Sequence, residues 1–346
     1  GVQPVQSLVS DWHSSLPIRS KFNVSSELRR RVNFWVKIYS QYSTTQGVFH
    51  LTDRPDLILG EIDLTSIQQN KNINDGLKRK MIELKVKELK KFYVEKYNLD
   101  PSRVRLQMGL RDRMKKALYL SGKYISHMEA IFKNENLPIE LTRLVYVESS
   151  FNIFAQSKVG ASGLWQIMPS VAKPKGYLNA NYDKRNHPIY ATKLAAKIMK
   201  TNYSHLKSWP LAITAYNHGL TGVKRMVKKN GTEKIEDLIS SRLAPRSWGF
   251  ASKNFYACFL AVLEVERNAP MLFGQDLARA EPLSFKEYRL PVRTHKSKIL
   301  TWFDGSLTRF KHMNPHLNWK AIHNEKMLPA GVSLMIPPQN FSLVRN

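Results

Sequence analysis

The chain of 346 residues is long enough for two or three domains with ample core. No apolar run reaches the roughly 18 residues that a membrane-spanning helix needs. The first ten residues lack an initiator Met, a basic start and an apolar block, which excludes an intact signal peptide there; a leader has been removed or lies upstream. Fifty-four Lys and Arg against 27 Asp and Glu give a net charge of +27, so an anionic partner is expected: nucleic acid, an anionic membrane face or a cell wall bearing carboxylates and phosphates. The single cysteine, Cys258, sits in an apolar run, which excludes an intramolecular disulfide and argues against a reactive thiol.

Most of the chain reads as helix. Between residues 24 and 44, Leu28, Val32, Trp35, Val36 and Tyr39 share one helical face, with Ser25 or Ser26 as N-cap. An extended stretch follows at Val48 to Leu51, then a lysine-rich helix from Asp75 to Tyr97 with Ile82, Val86, Leu89 and Tyr93 as its buried stripe. Asp100-Pro101-Ser102 punctuates the chain. From Val104 to about Phe273 the pattern predicts helix after helix, with Pro138, Pro188 and Pro210 at helix starts and Gly160, Gly163, Gly219 and Gly222 in turns. After Glu281-Pro282 the pattern changes. Strands at Phe285 to Leu290 and Val332 to Ile336, with helices at Ile299 to Phe303 and Leu307 to Met313, predict a small β-α-α-β module.

Glu148 stands out in the central region. Leu137, Leu141, Leu144 and Val145 precede it at mostly helical steps, so a helix here turns its carboxylate towards the core face. Desolvation raises a carboxyl pKa and favours a proton donor. The stripe alone does not separate a catalytic acid from a structural glutamate held by an arginine or by backbone donors. Three further clusters bear on the choice: Gly163-Leu164-Trp165-Gln166, Ala215-Tyr216-Asn217 and Ser252-Lys253-Asn254-Phe255-Tyr256. Taken singly, each is explained by core packing or helix capping.

In this order, Glu148-Ser149, Gly163-Leu164-Trp165-Gln166 and Ala215-Tyr216-Asn217, framed by Leu137-Pro138 and Trp209-Pro210-Leu211-Ala212, resemble the soluble-lytic-transglycosylase family, which shares its lysozyme-like fold with goose-type lysozyme. The resemblance covers about Val104 to Gly274, and the flanking regions resemble a membrane-bound branch of the same family. It implies a mainly α protein. Residues 1–103 would be an N-terminal accessory helical region, 104–280 a lysozyme-like catalytic domain, and 281–346 a small C-terminal LysM-like module. It also implies Glu148 as the catalytic acid, with Ser149, Gln166, Tyr216, Asn217 and Tyr256 lining a saccharide cleft. In the fourth motif the family tyrosine falls on Phe255, one place before Tyr256.

The implied reaction is non-hydrolytic cleavage of the β-1,4 bond between N-acetylmuramic acid and N-acetylglucosamine in peptidoglycan. Glu148 protonates the glycosidic oxygen, then removes the proton from the C6 hydroxyl of the muramic sugar, which closes on C1 as a 1,6-anhydro end. No metal and no cofactor enters. Most glycosidases use two carboxylates, whereas between Ser149 and Thr232 the only acid is Asp183, against thirteen Lys and Arg. Asp183 lies between Tyr182 and Lys184-Arg185, which suggests an ion pair or a turn role.

A hydrolytic muramidase on the same fold and a non-catalytic wall-binding protein are the alternatives. A nucleic-acid partner is not expected, because no nucleic-acid motif is recognisable. The partner expected is the peptidoglycan glycan strand, in the periplasm or cell envelope, with outer-membrane association and oligomeric state left open. Met313-Asn314-Pro315 and Leu328 to Pro337 resemble a LysM module, although Thr294-His295-Lys296-Ser297 stands where that family has Gly-Asp-Thr-Leu. By analogy with a carboxylic acid in an apolar pocket, the pKa of Glu148 is expected roughly near 6.

Overall fold

The computed structural model describes residues 22, 24–319, 323 and 326–345. The chain is mainly helical, as its periodicity predicts, and divides into two compact units, each assembled from two stretches of chain. Of the described residues, one comprises those up to 119 together with 198–278; the other comprises 120–197 together with those from 279 onward.

The first unit is organised around the Phe250–Arg267 helix. Its positions from Asn254 to Val265 are all buried, so its apolar surface continues around the whole helix. The Ser26–Ser40 and Trp209–His218 helices pack against it. Ser25 caps the first of these through its side chain, and Leu28, Val32, Trp35, Val36 and Tyr39 are buried as the stripe requires; Phe34 and Ile38 join them.

A polar knot fixes the register of this packing. The Asn254 Oδ1 accepts from Trp35 Nε1 at 3.1 Å and from the Arg31 guanidinium at 3.2 Å, while its Nδ2 donates to the Phe250 carbonyl. Near it His50 is fully buried against Phe34 and Phe250, and burial pushes its pKa down to about 4, so the imidazole is neutral at physiological pH. Cys258 is buried, and desolvation raises its thiol pKa far from the reactive range.

A three-stranded antiparallel sheet completes this unit. β1 (Gln46–Leu51) pairs with β2 (Ile58–Asp63) and with β3 (Val104–Met108), in the order β2-β1-β3. The extended reading at Val48 to Leu51 locates β1, but β3 replaces the helix expected from Val104 onward. The Asp75–Lys96 helix packs on the Phe49, Ile62, Leu64 and Val104 cluster through Ile82, Val86, Leu89 and Tyr93. That stripe is only half-buried, since no residue of the helix is fully buried and Leu84 and Phe92 face solvent.

The second unit contains the Ile125–Asn134 helix, a 3-10 turn at Ile139–Arg143 and the short Leu144–Ser149 helix. The stretch 150–187 is an ordered loop with a single helical turn at Pro169–Ala172 and 3-10 turns at Lys173–Lys175 and Lys184–Asn186, longer than the short turns between helices expected there. Polar and small residues dominate it, and its backbone groups are met by loop contacts instead of a helical ladder.

In the C-terminal part, β4 (Lys286–Arg289) pairs with β7 (Ser333–Ile336), and the two-residue strands β5 (Thr294–His295) and β6 (Met327–Leu328) pair with each other. The Lys296–Thr301 and Leu307–Met313 helices lie between, giving the predicted β-α-α-β order with one added strand pair. Trp302, Phe303, Phe310, Leu334 and Ile336 form its core. The buried Asn314 accepts from the Met335 amide at 2.7 Å and donates to the Phe310 and Met335 carbonyls, which explains the polar residue in Met313-Asn314-Pro315. This part is joined to the loop before it by backbone: the Asp183 amide donates to the His316 carbonyl at 2.7 Å, and the Asn318 amide to the Asn181 carbonyl at 2.8 Å.

Replacing Asn254 by Ala strands the buried Trp35 and Arg31 donors, so Asn254→Ala should cost about 1–3 kcal/mol of stability. Urea unfolding measures this, and an unchanged midpoint would remove the knot from the account.

Candidate active site

Glu148 lies in the last turn of the Leu144–Ser149 helix. Leu141, Leu144 and Val145 bury the stripe before it, but the helix begins only at Leu144, and Leu137 precedes it. The helix stops because Ser150 takes a left-handed conformation at φ 51°, followed by Phe151 at φ 57°. Two consecutive non-glycine residues there store strain, offset by the burial of Phe151 against Tyr146.

The residue retains partial solvent exposure, but its carboxyl is shielded by protein and pairs with no cation among the described residues. Desolvation alone raises its pKa, to about 8, higher than the value near 6 expected from the sequence. Its neighbour Ser149 directs its hydroxyl back to the Val145 carbonyl at 3.4 Å.

The loop carrying Gly163-Leu164-Trp165-Gln166 is held from three sides. Trp165 is fully buried, stacked on Phe132 with centroids 5.5 Å apart, and its indole donates to Thr192 Oγ1 at 2.9 Å. Gln166, at φ 47°, donates through Nε2 to the carbonyls of Ala155 at 3.0 Å and Gly163 at 2.9 Å. Both amide protons are therefore committed to the loop itself, and the side chain offers a ligand its Oε1.

The third anchor is Arg185, which the sequence did not single out as a site residue. One guanidinium nitrogen donates to the carbonyls of Gly160 at 2.7 Å and Ile167 at 2.8 Å, and the other two nitrogens grip Asp183. Asp183 also caps the Lys184–Asn186 turn, so it fills both roles its neighbours suggested. Gly163 is required here, since at φ 77° a Cβ would meet the Arg185 carbonyl oxygen at 1.9 Å.

Tyr216, Asn217 and Tyr256 belong to the first unit, whereas Glu148, Ser149 and Gln166 belong to the second. Tyr216 is half-buried and Asn217 exposed at the end of the Trp209–His218 helix, which Gly219 terminates. The Asn217 Oδ1 accepts from Ser252 Oγ at 2.9 Å, tying the Ala-Tyr-Asn block to the start of the Phe250–Arg267 helix. His218 next to it packs edge-on against Trp248, and burial lowers its pKa.

Gly222 is not in a turn as expected. It lies within the Leu220–Asn230 helix, where a Cβ would come within 2.7 Å of the His218 ring, so its absent side chain makes room for the imidazole. Tyr256 and Phe255 are both buried, Tyr256 at 1% exposure, and desolvation holds the phenol protonated.

Residues 126–239 match the family model of the Transglycosylase SLT domain. The membrane-bound lytic murein transglycosylase D of Escherichia coli (strain K12) is 33% identical over 228 residues, covering 60% of this chain and 49% of the relative. A putative tributyltin chloride resistance protein of Alteromonas sp. (strain M-1) is 37% identical over 120 residues, covering 34% of this chain and 56% of the relative. The chain thus spans about half the length of the curated relatives it matches. Among solved structures, the 70 kDa soluble lytic transglycosylase of Escherichia coli aligns over 45% of this chain and 25% of its own, at 18% identity and a TM-score of 0.35.

An uncompensated buried carboxyl has a consequence for stability. Its folded-state pKa of about 8 exceeds the ordinary 4.5, so between those values the unfolded chain ionises while the folded one keeps its proton. Stability from this group is fully present below about 4.5 and is lost as pH rises through about 8. Glu148→Gln removes that penalty. Its Tm should therefore exceed that of the parent at pH 8 and approach it at pH 4; an equal difference at both pH values would show that the carboxyl is not desolvated.

Proposed function

We propose that this chain, whose residues 126–239 match the Transglycosylase SLT domain, is a peptidoglycan lytic transglycosylase that cuts the N-acetylmuramic acid to N-acetylglucosamine β-1,4 bond and leaves 1,6-anhydro ends. The observation that carries the reading is the state of Glu148: a carboxyl raised to about 8 by desolvation, with no cation among the described residues paired to it, is a proton donor at neutral pH.

In the proposed step, Glu148 gives its proton to the glycosidic oxygen as the bond to C1 of the muramic sugar breaks. The resulting carboxylate, disfavoured in its desolvated setting, takes the proton of that sugar's C6 hydroxyl, and O6 closes on C1. Proton and bond inventories balance without water. Hydrolysis would instead need a group to activate water. Asp183, the only acid from Ser149 to Thr232, is gripped by Arg185, which supports the intramolecular route.

The site is assigned Glu148 as catalytic residue, with Ser149, Gln166, Tyr216 and Asn217 as contacts to saccharide. For Tyr256 the buried ring supports a role in placing its neighbours. The domain assignment proposed is an accessory helical region at 1–103, a lysozyme-like catalytic domain at 104–280 and a LysM-like module at 281–346. The partner is the glycan strand, whose acidic stems suit a chain of net charge +27. The periplasmic side of the envelope is the setting this substrate requires. No helix among the described residues is long and apolar enough to cross a membrane.

Digestion of purified sacculi tests the reading: products should carry 1,6-anhydro ends, each one water lighter than a reducing end. Reducing ends would establish a muramidase instead. Glu148→Gln should lower the rate by about 100-fold or more, and a variant as fast as the parent would remove Glu148 from the chemistry. Because the protonated form is the active one, the rate should fall as pH rises through about 8; a profile flat from pH 6 to 10 would contradict the assignment.

A further inference from the structure

Within the second unit, a cavity of about 730 Å³ is bounded by the chain around the catalytic helix and by the C-terminal module. Lys123 and Phe154 come from the former, Lys311, His312 and Trp319 from the latter, and Glu281 from the connection between them. Phe154, six residues beyond Glu148, is 76% exposed, an apolar ring with little protein cover. Trp319 is fixed: its indole donates to the Asn314 carbonyl at 3.2 Å, and its ring stands edge-on to Phe310, 4.8 Å between centroids. The Lys311 ammonium lies 5.5 Å from the Trp319 ring centre.

Neither Lys123 nor Lys311 forms an ion pair among the described residues. The cavity therefore joins the rings of Phe154, Trp319 and Tyr124 to two lysines, with His187, His312 and one carboxylate, Glu281, also in its wall. The backbone bonds from Asp183 and Asn318 that seat the module also hold its two sides in register. A neutral sugar would gain from the rings but has nothing to offer two ammonium groups. A short peptide with free carboxylates and small apolar side chains satisfies both features.

We propose that this cavity is a second substrate site, taking the acidic peptide stem of the glycan strand: stem carboxylates on Lys123 and Lys311, and apolar side chains on Phe154 and Trp319. The assignment rests on the peptidoglycan reading above and extends it. Through this site the module would recognise the stem instead of the sugar, selecting strands whose peptides are intact.

The test uses the full chain and two probes, the glycan-free peptide N-acetyl-L-Ala-γ-D-Glu-L-Lys and the peptide-free sugar chitotetraose, with affinities measured by calorimetry. The parent should bind the peptide, more weakly as salt rises, and the Lys123→Gln/Lys311→Gln double variant should bind it about tenfold more weakly. Chitotetraose affinity and the unfolding midpoint should be unchanged. On sacculi the double variant should show a raised KM with the parental kcat, and on strands stripped of peptide by an amidase both constants should equal the parent's.

No peptide binding by the parent, unchanged peptide affinity in the variant, or a loss confined to chitotetraose would overturn the proposal. The two readings fail separately. A chain that binds the peptide through these lysines yet releases no 1,6-anhydro product keeps the site and loses the transglycosylase assignment, whereas a transglycosylase indifferent to both substitutions loses only the site.

Discussion

The arrangement depends on withholding a countercharge from Glu148. A carboxyl shielded from water is usually rescued by an arginine or by backbone amides, and either would return its pKa to the ordinary range and make it a base. Here nothing among the described residues opposes desolvation. Arg185 is turned onto Asp183 and two loop carbonyls, and Arg143 pairs with Glu129. Two basic side chains of the same unit are thus committed to partners other than Glu148; in the other unit, desolvation raises the carboxyl of Glu264 to about 8 as well.

The backbone around the site is strained. Left-handed conformations at Ser150, Phe151 and Gln166 bracket the loop, each a cost that surrounding packing must offset. Trp165 on Phe132, the Gln166 amide on two carbonyls and the Arg185 fork supply that packing. Glycine at 163 is then forced, because the Arg185 backbone occupies the place of its side chain. The loop motif reads as a structural solution first, from which a ligand-facing edge follows.

Much of this was legible in the sequence because local periodicity carries it. The stripe from Leu28 to Tyr39 and its Ser25 cap, the prolines at helix starts and the β-α-α-β order at the C-terminus are all set by near neighbours. What was not legible depends on distant partners. β2 lacks clear alternation and is fixed by its pairing with β1, whereas Val104-Arg105-Leu106-Gln107-Met108 alternates strictly and carries a strand signal of its own, which the helical series expected from Val104 overrode. Gly222 resembles a turn glycine, whereas its place is fixed by the His218 ring. Arg185 was legible only as an ion-pair neighbour of Asp183, and only the fold brings the Gly160 and Ile167 carbonyls to it. Gly160 and Gly163 mark turns in the segment from 150 to 187 as expected, but the turns expected to be short extend into one long loop whose polarity was its signal.

The ionisation of Glu148 can be observed directly. A carbon-13 NMR titration of the Glu148 carboxyl, assigned by comparison with Glu148→Gln, should give an apparent pKa of about 8 in the free protein. A value in the ordinary range near 4.5 would show a solvated or paired carboxylate, and the account of Glu148 as a resident proton donor would be wrong.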